Sequence, residues 1–149
     1  MSFVYTNALR AFGSAEIDLD TGGDDIRVLT VMSNTTADTE EDVTTVDGFS
    51  TLDEYDGANY VRKALANEAM TADNTNDRGE FDADDITHTS LGVGSRQAVG
   101  HLLIKHVTDD TDSIPLAYID DGGFPFDGNG GDVATAWNVE GILQFTNPA

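Results

Sequence analysis

The residues best suited to chemistry lie in a glycine-rich loop at residues 121–132. This loop carries four hard oxygen donors, Asp121, Asp127, Asn129 and Asp132, between glycines that allow tight backbone turns. Carboxylate and amide oxygens in a flexible loop suit Ca²⁺, or Na⁺ and K⁺ at high salt. The spacing is not that of an EF-hand, because the terminal bidentate glutamate is missing. The loop is therefore predicted to be either a cation site or a mobile loop without an ion, and no other cofactor is expected.

Two aromatic side chains stand in the same loop. Phe124 and Phe126 flank Pro125, and a glycine-rich loop has little reason to be apolar unless it folds back onto its own domain or meets a partner. Both alternatives stay open from the sequence. Phe3 and Phe12 belong to an N-terminal segment that could serve as a docking arm. These five residues are the candidate interface.

Hydrolytic chemistry has little support. His101 and His106 are five residues apart, which on a strand places them on opposite faces, so they cannot share a metal. We interpret both as half-exposed strand residues. No Gly-x-Ser-x-Gly motif is present. The pairs at 84–85 and 120–121 have the carboxylates of a glycosidase, but 28 acids produce such pairs by chance. The chain is not expected to be an enzyme.

The charge balance is strongly negative. Asp and Glu total 28 against 7 Lys and Arg, which gives a formal charge of -21. Such a surface repels itself in dilute buffer, whereas at molar salt the Debye length falls to about 3 Å and the repulsion is screened. The composition therefore indicates a halophilic protein, with an acidic protein from an ordinary cell as the alternative. Nucleic acid is not an expected partner, because phosphate binding needs clustered cations and only Arg62 and Lys63 are adjacent.

Length and composition fit one domain, predicted to span residues 1–149 with an N-terminal helix or arm over residues 1–15. The chain has no cysteine, which removes disulfides and thiolate metal sites. No apolar stretch approaches the roughly 18 residues that cross a bilayer, so no membrane span is expected. The first residues show neither the basic nor the apolar region of a secretory signal.

The elements that must position these residues are mostly strands. A short helix is predicted near the N-terminus, ending at Gly13. About eight short strands follow at roughly 8–12-residue spacing, which is typical of a sandwich or barrel. An acidic surface excursion over residues 37–57 is expected to be held to the core by Phe49 and Leu52. We predict a mainly β protein, a single jelly-roll-like β-sandwich. Its clearest strands are predicted at residues 26–32, 97–107, 114–120, 133–139 and 142–146, and residues 60–70 favour a strand although a helix is also compatible.

Three stretches in a fixed order carry a family resemblance. They are DNTNDR at residues 73–78 running into FDADD at 81–85, PLAYID at 115–120, and WNVEGIL at 137–143. Together they resemble a group of small structural proteins of tailed phages and tailed archaeal viruses. Members usually open with a short helix around an Asn-Ala-Leu motif, as residues 7–9 do here. The long segments at 37–57 and 121–132 depart from the usual pattern.

The resemblance implies a β-rich virion protein. We expect a capsid decoration or head-surface subunit that assembles as a homo-oligomer, preferably a trimer, and contacts the major capsid protein or other virion proteins. Its expected location is the virion, after synthesis in the host cytoplasm. The alternative is a tail, baseplate or receptor-binding module that recognises host surface glycans. Tyr55, Tyr60 and Trp137 are the candidate aromatics, although Trp137 is expected to belong to the core.

Overall fold

A computed structural model describes residues 1–146 of the chain. Within these residues the protein is mainly β, with antiparallel sheets and one short α-helix, which confirms the predicted fold class. The jelly-roll connectivity stays a prediction. The elements are β1 (Phe3–Val4), α1 (Thr6–Gly13), β2 (Asp25–Met32), β3 (Lys63–Ala64), β4 (Ala69–Asp73), β5 (Arg78–Asp82), β6 (Ile86–His88), β7 (Ala98–His106), β8 (Ile114–Ile119), β9 (Val133–Thr135) and β10 (Leu143–Thr146).

The core is built on a five-stranded sheet in the order β1-β8-β7-β2-β3. Strands β2 and β7 are apolar on both faces, and they occupy the centre of the sheet as that pattern predicts. Pro115 lies at the second residue of β8, beside an irregularity in the pairing with β7. This position precedes the part of β8 that pairs with β1, so the missing N–H does not interrupt that pairing.

The remaining strands form two smaller sheets, β10-β5-β4 and β6-β9. The strand predicted over residues 133–139 is too long, because the structure ends it at Thr135. The backbone N–H of Trp137 donates instead to the Asp85 carboxylate at 2.9 Å, which takes the chain out of the sheet. Residues 60–70 form no helix; they contribute β3 and the start of β4.

Helix α1 ends at Gly13 as predicted, and it buries Ala8 and Ala11. The acidic excursion follows the core surface and includes a short 3-10 turn at Val46–Gly48. Phe49 is buried and Leu52 is partly buried against the core, which confirms the predicted attachment.

Within residues 1–146, no helix has the length and apolar character needed to cross a membrane.

Candidate functional site

A cleft of about 550 Å³ opens between the N-terminal strand, β8 and the segment that links β9 to β10. Small-molecule sites in proteins have volumes of roughly 300–1,000 Å³, so this cleft is large enough for a ligand. Its walls are largely apolar, with a few polar groups at the floor and rim. The tryptophan and the polar side chains of its lining include Ser2, His101, Asp121, Thr135, Trp137, Asn138 and Gln144.

Trp137 contributes aromatic surface to this cleft and is half-buried. Its indole Nε1 donates to the carbonyl oxygen of Asp84 at 3.0 Å, and its backbone N–H donates to the carboxylate of Asp85. Two hydrogen bonds, to Asp84 and Asp85, therefore fix the position of the ring. In the sequence, the signal for this contact is the acidic pair just before β6, but 28 acids make such pairs common, so the pair alone does not predict it.

His101 forms the buried floor of the cleft. Its Nδ1 lies 3.2 Å from the Thr30 hydroxyl and its Nε2 lies 2.9 Å from the Thr135 hydroxyl. Burial, and then the proximity of His88, lower the pKa of His101 to about 3, so the ring is neutral at neutral pH. The prediction of a half-exposed residue was wrong for His101, because Phe124 and Trp137 cover the ring, whereas His106 is half-buried.

His88 is a second buried imidazole. Neither of its ring nitrogens has a hydrogen-bond partner within residues 1–146. Burial, and then the nearby Lys63 charge, lower its pKa to about 4. The ring lies 5.3 Å from the ring of Tyr60, measured between centroids. Strand β6 has only three residues, which is too short for a periodic pattern. The sequence around His88 therefore gives no signal that the ring is buried.

The rim of the cleft is polar, and within residues 1–146 no Lys or Arg lines it. Asp121 Oδ2 accepts from the Ser2 hydroxyl at 2.9 Å, and Asn138 Oδ1 accepts from the Glu140 backbone N–H at 3.0 Å. The other polar atoms of these two side chains, Asp121 Oδ1 and Asn138 Nδ2, make no hydrogen bond within the described part of the chain. One acceptor and one donor thus remain available, in a lining with one carboxylate and no Lys or Arg.

The four proposed cation ligands are attached to different partners. Asp127 accepts from the Tyr55 hydroxyl, Asp132 accepts from the Ser90 N–H, and Asn129 accepts from the Gly131 N–H. Asp121 bonds Ser2 at the cleft rim. Over residues 1–146 these three aspartates do not come together as a ligand group. The four side chains that could ligate a cation therefore bond to separate partners along the surface on which the loop packs.

The grouped carboxylates lie elsewhere, at Asp73, Glu80 and Glu140. Arg78 forms ion pairs with all three of them. The cluster therefore already holds its own cation. It also joins the β4–β5 hairpin to the turn before β10.

The loop at residues 121–132 folds back onto its own domain. Phe124 and Phe126 pack against a small buried cluster that includes Met32 and Tyr55, while Pro125 is exposed. The Tyr55 hydroxyl accepts from the Gly128 N–H at 2.8 Å and lies 3.0 Å from the Gly92 carbonyl oxygen. Of the two alternatives that the sequence left open for Phe124 and Phe126, the structure shows the contact within the domain.

Phe3 and Phe12 also pack partly against the main core. Phe3 lies beside Tyr5 and Tyr118 and lines the cleft. Phe12 meets Phe145 edge to face at 5.1 Å and lines a separate groove of about 450 Å³. The groove lies between the end of α1 and the three-stranded sheet, and its lining is apolar except for one aspartate: Phe12, Ala15, Ile17, Asp18, Leu19, Met70 and Phe145.

Comparisons of the chain with known protein families, with curated proteins and with solved structures find no match.

Proposed function

We propose that this protein is a structural subunit of a tailed-virus particle, on the capsid surface, that assembles with copies of itself in a salty environment. The observation that carries the proposal is the apolar groove beside the open edge of β4. Strand β4 pairs with β5 on one side only, and its other side pairs with no strand of the described residues. An open sheet edge next to apolar side chains is a surface that association between subunits covers.

The open edge of β4 suits a second copy of the chain as the occupant, because the same edge of another copy can pair with it across a two-fold axis. Met70 projects from β4 into the groove and is 38% exposed. Burial of this edge removes apolar surface from water while the acidic surface stays solvated.

The three stretches that carry the resemblance to virion proteins meet in the folded chain. Residues 73–78 form the β4–β5 turn, and Arg78 reaches from it to Glu140 in the third stretch. The second stretch is β8, whose Tyr118 lines the same cleft as Trp137. Stretches that are distant in sequence therefore build one contiguous region. The proposed partner of the assembled oligomer, the major capsid protein or another virion protein, is the one that the resemblance implies.

Sedimentation velocity at molar salt tests the self-association. The wild-type chain is expected to form an oligomer, with a trimer as the preferred state. Met70→Glu is expected to shift it to a monomer, since a charge in the groove opposes burial. Val107→Glu is the matched control, because Val107 is an exposed valine (51%) outside the groove. A wild-type monomer at molar salt would contradict the proposal.

The capsid contact is tested by co-sedimentation with shells of the major capsid protein and, separately, with isolated tails. Binding of the wild-type oligomer to shells and not to tails supports a head-surface subunit. Binding to tails alone would contradict that location and support the alternative, a tail or receptor-binding module. The observation that favours this second candidate is the cleft at Trp137.

A further inference from the structure

We propose that the cleft at Trp137 is a binding site for a neutral sugar ring. The cleft combines a fixed aromatic side chain, a carboxylate and an amide around one opening: Trp137, Asp121 and Asn138. A sugar ring presents a C–H face that packs on an aromatic ring, and hydroxyls that both donate and accept hydrogen bonds. This inference does not depend on the virion assignment.

The aromatic platform is held in place before any ligand arrives. Asp84 and Asp85 each bond one N–H of Trp137, at 3.0 Å and 2.9 Å. The ring of His101 supports it from below, with the two ring centroids 5.9 Å apart. Because the platform is rigid, a ligand that packs on it loses little additional side-chain entropy from the protein.

Two polar atoms at the rim suit the hydroxyls of a sugar. Asp121 Oδ1 can accept and Asn138 Nδ2 can donate, and neither makes a hydrogen bond within residues 1–146. The other polar atom of each side chain is already bound, to Ser2 and to the Glu140 backbone, which orients the remaining one. A hydroxyl that bonds to the carboxylate gains the extra strength of a charged acceptor.

The charge of the lining selects a neutral ligand. Among the residues that the structure describes, the cleft lining has one carboxylate and no Lys or Arg, and the chain as a whole is strongly acidic. A uronic acid or another anionic sugar would bring a negative charge next to Asp121, and the nearby N-terminal ammonium is already paired with Asp120. A neutral hexose or N-acetylhexosamine avoids this repulsion.

The experiment uses Trp137 as its own reporter, since it is the only tryptophan in the chain. The full-length protein at molar salt is titrated with glucose, galactose, mannose, N-acetylglucosamine and glucuronate, while tryptophan emission is followed. A saturable change is expected for at least one neutral sugar, with a dissociation constant on the order of millimolar for so small a ligand. Glucuronate is expected to give no saturable change.

Two asparagines provide matched variants. In both Asn138 and Asn129 the side-chain oxygen accepts the backbone N–H two residues later, but only Asn138 lines the cleft. Asn138→Ala and Asp121→Asn are expected to weaken sugar binding at least about 5-fold, whereas Asn129→Ala leaves it unchanged. Isothermal calorimetry with Trp137→Phe provides a readout that does not need the fluorophore, and weaker binding is expected there too.

Three results would overturn the inference. They are a folded protein that saturates with none of the neutral sugars, an equal response to glucuronate, and equal losses for Asn129→Ala and Asn138→Ala. A monomer that binds sugar would refute the assembly proposal and support this one. An oligomer that binds capsid shells but no sugar would support the assembly proposal and refute the sugar site.

Discussion

His101 Nε2 lies 2.9 Å from Thr135 Oγ1, and this contact joins the central strand of the five-stranded sheet to the two-stranded sheet. The other ring nitrogen faces the Thr30 hydroxyl in β2. One buried neutral imidazole therefore links β2, β7 and β9, and it forms the floor on which the cleft is built. Because the buried ring is neutral, the free energy of unfolding depends on pH.

The free energy of unfolding is expected to fall as the pH is lowered from about 7 to about 5 at constant molar salt. The pKa values of His101 and His88 in the folded protein are about 3 and about 4, below the ordinary 6.5. The unfolded chain therefore takes up protons in this window that the folded protein does not. Proton uptake by each histidine in the unfolded chain lowers the free energy of unfolding by up to about 1.4 kcal/mol per pH unit below 6.5. Urea titrations across this range measure the slope, and a flat profile would contradict the burial of the rings.

His88→Leu is expected to stabilise the protein by about 1–3 kcal/mol at neutral pH, because it removes two buried ring nitrogens that have no hydrogen-bond partner in the described part of the chain. The same variant should reduce the pH slope to about half, since one of two titrating histidines is gone. Thr87→Val is the control, as an exposed neighbour in β6. Urea unfolding provides the measurement; a less stable His88→Leu protein would refute the prediction.

Arg62→Met is expected to lower the free energy of unfolding by about 2 kcal/mol. Arg62 donates to Glu54 at 2.9 Å and to Asp110 at 2.8 Å, and hydrogen bonds to Asp110 and then Glu54 raise its pKa. Its removal leaves two partly buried carboxylates without their cation. Arg10→Met is the control, because the Arg10–Glu16 pair is exposed and should change little. Equal effects in the two variants would show that burial of the Arg62 pair is unimportant.

Gly128→Ala is expected to destabilise the protein by more than about 2 kcal/mol, because an added Cβ would lie 2.2 Å from the carbonyl oxygen of Gly92. That oxygen is backbone and lies within hydrogen-bonding distance of Tyr55, so it cannot move away without loss. In Gly13→Ala, at the end of α1, the added Cβ has no atom of residues 1–146 within 4 Å, and the variant is expected to be neutral or slightly stabilising. Thermal unfolding at molar salt compares the variants. A neutral Gly128→Ala would show that the loop packs less closely.

Salt is expected to stabilise the fold between about 0.1 M and about 2 M, because screening reduces repulsion within a chain of charge -21. Replacing four exposed aspartates with asparagine should reduce this dependence. The chosen aspartates are exposed, and their carboxylates accept no hydrogen bond within residues 1–146: Asp38, Asp42, Asp77 and Asp82. Thermal unfolding over a salt series provides the comparison. An unchanged salt dependence in the variant would contradict a surface-charge origin.

Local patterns predicted the regular elements well. Gly13 ends the helix, and continuous apolar runs became the central strands β2 and β7. The same patterns failed after β9, where the strand stops at Thr135 although alternation continues to Val139. There a side chain from a distant segment, Asp85, takes the backbone N–H that a strand would use. Periodicity describes one segment at a time and does not include such competition.

The sequence by itself determined the mainly β class, the acidic surface and the positions of the central strands, because side-chain period and charge are properties of neighbouring residues. Only the tertiary structure decided which polar groups meet. It spread the loop aspartates over separate partners, buried His88 and His101, and set Trp137 against Asp84 and Asp85. Those contacts join residues far apart in the chain, so they depend on how the sheets pack and not on any local spacing.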